Sequence, residues 1–400
     1  MPFTFSLLSL PPLEIIPRLG FLKGFTQFLL CVKNVKSKVY IKESIQYLFF
    51  RFGPLNSIVE KKMRVAMYYN NQDVRLEEVP TPRIGPGELL VKVLASGICG
   101  SDVMEWYRIK KAPRVLGHEI TGQIAEVGEG VKNYRVGDRV FVSHHVPCNT
   151  CHYCLNGHHT VCDTLRSTNF DPGGFAEYIR IPKINVDRGV FILPEEVSIE
   201  DGVFIEPLAC VLRGQRLANL NSGQTVFVIG SGISGLLHIA LARASGAGRI
   251  VASDVNEYRQ KAAKKFGADE VLDAKEVNPS RLRQINRDHL FDLVVVCAGA
   301  VSAYNQALQS VDRGGTVLCF APIEPGVNFS LPLFDLWNDG ITLLTTYGGS
   351  PSDIERTIEL IRTQRLPLRE MITHRLPLAE TGFGFKLVAE AKESIKVIIE

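Results

Sequence analysis

The spacing of apolar and polar positions changes character near residue 210. From Met63 onward the apolar positions come in short runs, such as 89–94, 120–127 and 139–143, each bounded by Gly, Pro, Asn or Asp. That is the pattern of short strands joined by turns and inserted loops, and it predicts a β-rich unit over residues 63–210. Beyond it, uninterrupted apolar runs at 225–229, 250–253, 293–297 and 316–320 alternate with helix-like stretches at 234–245, 257–266 and 302–310. Strands buried on both faces read as continuous apolar runs, and interleaved helices supply the covering layers. Residues 211–344 therefore predict a doubly wound parallel sheet. The tail, 345–400, returns to mixed character and is expected to close back onto the first unit.

Residues 1–62 follow neither period. They hold nine Lys and Arg against three Asp and Glu, and their apolar stretches are broken by Pro11, Pro12, Pro17 and Pro54. A secretory signal needs positive charge ahead of its apolar core, and the first thirteen residues carry none. The segment reads as an extension outside the fold, with folded sequence starting at Met63, so a chain begun there is expected to fold. The remaining residues carry 36 basic against 39 acidic side chains, within a total of 45 and 42. A weakly acidic body without a basic stripe excludes nucleic acid as the ligand class. No apolar run reaches the 18 residues that a membrane-spanning helix needs. A chain of 400 residues with 46% hydrophobic content can bury two cores.

At the end of the first continuous run stands Gly230-Ser-Gly232-Ile233-Ser-Gly235. Between strand and helix, this spacing serves a dinucleotide. Gly230 permits the tight turn, Gly232 admits a pyrophosphate against the backbone, and Gly235 allows close packing, with the phosphate at the positive helix end. Ile233 lies inside the motif and is counted with its cofactor-binding positions. Asp254 ends the second run, nineteen residues after Gly235. A carboxylate there accepts from both ribose hydroxyls and repels a 2′-phosphate, which favours NAD over NADP. The competing role for Asp254 is to cap the helix that opens near Glu257.

Cys148, Cys151, Cys154 and Cys162 follow C-x2-C-x2-C-x7-C. Four thiolates close a tetrahedral zinc shell and leave no position for chemistry, so this set predicts a structural zinc. The histidines crowded into the same stretch, His144, His145, His152, His158 and His159, are expected to be mostly solvated. A second, unlike set mixes sulfur, imidazole and carboxylate from separate segments: Cys99 in Gly-Ile-Cys-Gly-Ser101-Asp102, then His118 and Glu119 after Gly117. Mixed ligands of this kind leave a catalytic zinc an open place. Closely spaced cysteines in a chain this size argue for metal in a reducing compartment, and so for the cytoplasm.

With GICGSD, GHE, VGDRV, the four-cysteine lobe and VIGSGISG in one order, the chain from Met63 to Glu400 resembles the zinc-containing medium-chain alcohol dehydrogenases. The resemblance implies a GroES-like β-rich catalytic domain beside a Rossmann domain, and two zinc ions per subunit with NAD. It assigns Cys99 and His118 to the catalytic zinc, with Glu119 as a neighbouring carboxylate able to enter its shell and Asp102 behind them. Where other alcohol dehydrogenases have a cysteine, Glu206 in Ile-Glu-Pro-Leu-Ala stands in register, as in the sorbitol, xylitol, threonine and butanediol dehydrogenase branch; Cys210 is its rival. The resemblance also implies oxidation of a secondary alcohol or polyol, Ser101 accepting the hydroxyl proton, and a homodimer or homotetramer joined near residues 341–346. One departure touches the proton path, because the branch commonly has a histidine where this chain has Met104. The competing readings are a zinc-free quinone or enoyl reductase of the same fold and an inactive structural homologue.

Overall fold

The protein was analysed as a computed structural model, which describes residues 61–400. Residues 1–60, and with them nearly all of the expected extension, lie outside the described residues. The described chain builds three sheets. The smallest joins β1 (Lys62–Asn70), β2 (Asp73–Pro80) and the two-residue β4 (Arg114–Val115) in the order β2-β1-β4. The second joins β3 (Leu89–Gly97), β5 (Glu119–Val127), β6 (Arg139–Val142), β7 (Tyr178–Ile181) and β8 (Val190–Ile192). It is completed from the C-terminus by β15 (Ile372–Leu376) and β16 (Lys396–Ile399), in the order β15-β16-β3-β5-β6-β8 with β7 beside β3. The tail thus returns to the first sheet, where Ile398 pairs with Gly97.

The third sheet is all parallel: β9 (Thr225–Ile229), β10 (Arg249–Asp254), β11 (Glu270–Asp273), β12 (Phe291–Val296), β13 (Val311–Cys319) and β14 (Thr342–Thr345). Its order β11-β10-β9-β12-β13-β14 reverses direction at β9, and in such sheets the crevice beyond the strand ends at that reversal is where a dinucleotide binds. Val226, Phe227 and Val228 are fully buried, as are Val294, Val295 and Val296, which explains why these strands read as unbroken apolar runs. The polar β11, Glu-Val-Leu-Asp at the sheet edge, has only Leu272 buried and gave no such run.

Between the two large sheets runs the helix Ile205–Leu217, so the sequence boundary at 210/211 falls inside one element. Against it packs the helix Pro351–Arg362, opened by a Ser350 capping box with Asp353 and burying Ile354, Ile358 and Ile361 along one stripe. Burying each of these isoleucines is worth roughly 1.5–3 kcal/mol. Asp353 also accepts from Arg216 Nη2 at 3.0 Å, tying the two helices together.

Candidate active site

Three adjacent strands, β16, β3 and β5, create the floor of the site, and a missing side chain makes it possible. Gly97 ends β3 opposite Glu119 on β5. A Cβ at Gly97 would stand 2.2 Å from Glu119 Oε2 and 2.7 Å from Lys396 Nζ. Glycine therefore leaves the space through which the Glu119 carboxylate crosses β3 to meet the Lys396 ammonium, with both side chains buried. The sequence reading did not find Lys396. Its signals were a glycine inside a strand and a lysine heading an otherwise apolar strand.

Immediately after Gly97 the chain turns through Cys99, which caps the short helix Gly100–Val103. Ser101 N donates to Cys99 Sγ at 3.4 Å, and Cys99 N donates to Asp102 Oδ2 at 3.1 Å. His118 reaches the same place from the loop before β5, where Gly117 adopts φ +91° with its would-be Cβ 2.8 Å from Phe175 N. The donor atoms of Cys99, His118 and Glu119 all lie within 4.8 Å of one another. Asp102, fully buried, is 3.4 Å from His118 Nδ1, which leaves Nε2 as the free ring nitrogen. Burial opposes charge on both partners. Even so, the Asp102 carboxylate and Cys99 hold the His118 imidazole well above its usual range, and His118 and Arg108 hold the Asp102 carboxyl low.

Glu206 sits in the first turn of the helix Ile205–Leu217 and is not among the three gathered donors. Burial raises its carboxyl, against the pull of His118, and Cys210 Sγ donates to its Oε1 at 3.5 Å. The Cys210 thiol is itself raised by burial and then by Glu206 and Cys99, so of the two rivals Glu206 gives up its proton far more easily. Two further histidines belong here and not to solvent. The His144 ring is tilted against that of His118 with centroids 4.9 Å apart, and His145 Nδ1 donates to Thr168 O at 2.9 Å. Burial pushes His144 well down and His145 down to about 4, so both are neutral. The expectation of solvated histidines holds for His152 and His158, which are exposed.

The Cys148, Cys151, Cys154 and Cys162 sulfurs also lie within 4.8 Å of one another. Cys148 and Cys154 sulfurs are 3.9 Å apart, close to the roughly 3.8 Å edge of a tetrahedron with Zn–S of about 2.3 Å. Backbone N–H groups of Thr150 and Cys151 point at Cys148 Sγ from 3.4 and 3.2 Å and bring its thiol down to about 5, while burial pushes Cys154 up to about 12. Such a cluster fits a cation that allows all four to be thiolates.

At the phosphate turn, Gly230 has φ +92°, and a Cβ on Gly235 would stand 1.9 Å from Gly230 O. Ile233 opens the helix Ile233–Ala244 with Gly232 as its N-cap. Asn256, and not Asp254, caps the next helix, accepting from Tyr258 N and Arg259 N. Asp254 accepts instead from Ser231 N at 2.7 Å and Asn256 N at 2.9 Å. The Arg259 guanidinium lies 3.7 Å from where a Gly232 Cβ would be, and its buried Nε has no partner among the described residues. An orphaned cationic donor over a glycine turn fits a phosphate-bearing cofactor.

Comparison with known proteins agrees with this geometry. Residues 85–189 match the alcohol dehydrogenase GroES-like domain, and residues 234–363 match the zinc-binding dehydrogenase family. Sorbitol dehydrogenase of Bacillus subtilis is 30% identical over 353 residues, covering 85% of this chain and 98% of that protein. The L-threonine 3-dehydrogenase of Pyrococcus abyssi is 35% identical over 352 residues, 84% of this chain and 96% of its own. The chain belongs to the zinc-binding alcohol dehydrogenase family. The solved alcohol dehydrogenase of Thermus sp. ATN1 superposes on this zinc-binding dehydrogenase with a TM-score of 0.77 at 31% identity, over 84% of this chain and 99% of that one. Like its relatives, the dehydrogenase is an oxidoreductase acting on CH–OH groups. No helix among its described residues is long and apolar enough to cross a membrane.

Proposed function

We propose that the protein interconverts a secondary alcohol or polyol and the corresponding ketone, using zinc and NAD(H). The observation that carries this reading is the convergence of Cys99, His118 and Glu119 donor atoms within 4.8 Å, beside Ser101. Bound zinc supplies a Lewis acid that acidifies a substrate hydroxyl, and bound NAD accepts the hydride. Cys99 and His118 would hold the catalytic ion, with Glu119 and Glu206 as flanking carboxylates. Cys148, Cys151, Cys154 and Cys162 would hold the structural one. Asp102 fixes the His118 ring through Nδ1. Ser101 Oγ takes the hydroxyl proton and, with Met104 unable to carry one, hands it to ribose hydroxyls or water.

Gly230, Gly232, Ile233 and Gly235 would seat the pyrophosphate and Asp254 the ribose, which supports NAD over NADP. The reduced cysteines and expected thiolate zinc support a cytoplasmic setting. Edge strand β14 leaves Leu343 partly exposed, and the nearby Leu333, Phe334 and Trp337 are 69%, 72% and 78% exposed. An apolar sheet edge of this kind supports a homodimer or homotetramer formed there. The test is NAD reduction by the zinc-loaded protein against a panel of polyols, threonine, butanediol and simple secondary alcohols, with metal analysis. Turnover with two zinc ions per chain, lost on mild chelation before the lobe zinc leaves, is the expected result. A single zinc confined to the cysteine lobe would remove the proposal.

A further inference from the structure

Both oxygens of Ser101 meet the same side chain. Arg108 closes the short helix Glu105–Arg108, and that turn brings it back onto Ser101, seven residues earlier. Its Nε donates to Ser101 O at 2.9 Å, and its Nη2 donates to Ser101 Oγ at 2.9 Å and to Asp102 Oδ1 at 3.3 Å. The guanidinium lies 4.6 Å from the Tyr107 ring centroid, and the side chain is only 16% exposed. A rigid planar fork that holds the carbonyl and the hydroxyl of one residue together fixes its side-chain rotamer against its own backbone. Asp102 Oδ1 also stands 3.4 Å from His118 Nδ1. The carboxylate that orients the His118 ring and the hydroxyl of Ser101 are thus tied to one nitrogen, Arg108 Nη2.

A serine oxygen has one hydrogen and two lone pairs, whereas a guanidinium only donates. Ser101 Oγ is therefore the acceptor in its bond to Arg108, which occupies one lone pair and turns the hydroxyl hydrogen away. One lone pair and one hydrogen remain. A relay needs that pair and no more: the substrate hydroxyl proton arrives on the lone pair as the serine's own hydrogen leaves for a ribose hydroxyl or water. Ser101 ends as it began, and the hydride passes to NAD. Without the Arg108 bond, the hydroxyl would be free to turn its hydrogen on the substrate oxygen it has to deprotonate. Met104 cannot correct this from the far side, because it neither takes nor gives a proton.

We propose that Arg108 is a positioning residue of the proton path, holding Ser101 Oγ as a one-way acceptor for the substrate hydroxyl. The proposal rests on the dehydrogenase reading and on the part Ser101 plays in it. A brace for the loop alone would also use the bonds to Ser101 O and Asp102, but it has no need of the bond to Oγ.

The test is a cycle of Arg108→Met, Ser101→Ala and the double variant, each zinc-loaded and assayed with NAD against sorbitol, threonine and 2,3-butanediol. Arg108→Met is expected to keep its zinc, to lose about tenfold or more in kcat, and to hold KM for alcohol and NAD within about twofold. Because Arg108 acts through Ser101, the double variant should match Ser101→Ala in kcat to within about twofold. Arg108→Lys keeps the charge but reaches only one of the two oxygens, and should recover part of the loss. An unchanged kcat in Arg108→Met overturns the proposal. A loss of the same size in the Ser101→Ala background overturns it too, as does a loss of zinc that accounts for the lost rate; either result would leave Arg108 as a brace. If the wild type oxidises none of the three alcohols, it is the dehydrogenase reading that fails. A crystal structure of Arg108→Met then decides on the positioning: a turned Ser101 side chain upholds it, and an unchanged rotamer overturns it.

Discussion

Replacing Lys396 with methionine tests how the floor of the site is built. The side chains of Lys396 and Glu119 are 0% and 1% exposed, and the space between their strands exists only because Gly97 lacks a Cβ. Methionine keeps the length of the lysine stem but removes the ammonium, which also lies 5.7 Å from the Phe204 ring. Breaking a buried ion pair from one side leaves an unpaired charge and costs about 3–5 kcal/mol. In the metal-free protein most of that cost is expected, since among the described residues only the His118 imidazole, within 4.8 Å, is also placed to offset the Glu119 carboxylate. With zinc loaded, Glu119 faces a cation within reach of Cys99 and His118, and the loss should be about half as large. The double variant Glu119→Gln/Lys396→Met should recover most of the metal-free loss, giving a coupling of about 2 kcal/mol or more. Urea unfolding of the wild type, Lys396→Met, Glu119→Gln and the double variant, with and without zinc, measures all of these terms. A metal-free loss below about 1 kcal/mol, or a double variant no more stable than the single, would refute the buried pair. Equal losses with and without zinc would show that Glu119 answers to Lys396 alone.

Asp254→Ala removes the acceptor of Ser231 N and Asn256 N; KM for NAD should rise at least tenfold and the NADP-to-NAD preference should shift toward NADP, and unchanged kinetics with both cofactors would reject the assignment. Cys154→Ser should cost one zinc per chain and open the lobe to limited proteolysis, whereas retention of both ions would place the structural metal elsewhere. His238 is buried, its Nε2 has no partner among the described residues, and burial lowers it to about 3. The unfolded chain therefore takes up a proton below the ordinary histidine pKa of about 6.5 that the native protein refuses, so stability is full above that pH and falls toward pH 3. Between pH 7.5 and 5 this group should account for about 2 kcal/mol of lost stability, which His238→Leu abolishes; parallel pH profiles for the two proteins would contradict it.

Which of these features could be read in the sequence follows from how far apart in the chain their parts lie. The glycine turn and the cysteine lobe are each assembled from one short segment, so spacing alone carries their chemistry. The six-stranded sheet was legible where strands are covered on both faces, as at β9 and β12, and lost at β11, whose edge position allows Glu270 and Asp273 to face outward. Asp254 could be placed at the end of its strand, but that it does not cap the next helix depended on Asn256 taking the cap. Lys396 and Glu119 are separated by 277 residues, and no local period announces a contact made by strands that become neighbours only when the tail returns to the first sheet. Even there a trace existed. A glycine ending the apolar β3 has no reason in strand propensity, and a lysine opening Val-Ile-Ile has none in burial, until one is seen as the space and the other as the charge that fills it. Arg108 left no such trace, since an arginine after two aromatic residues reads as surface. Its contact with Ser101 depends on a helical turn folding it back over seven residues, and only the folded chain shows it.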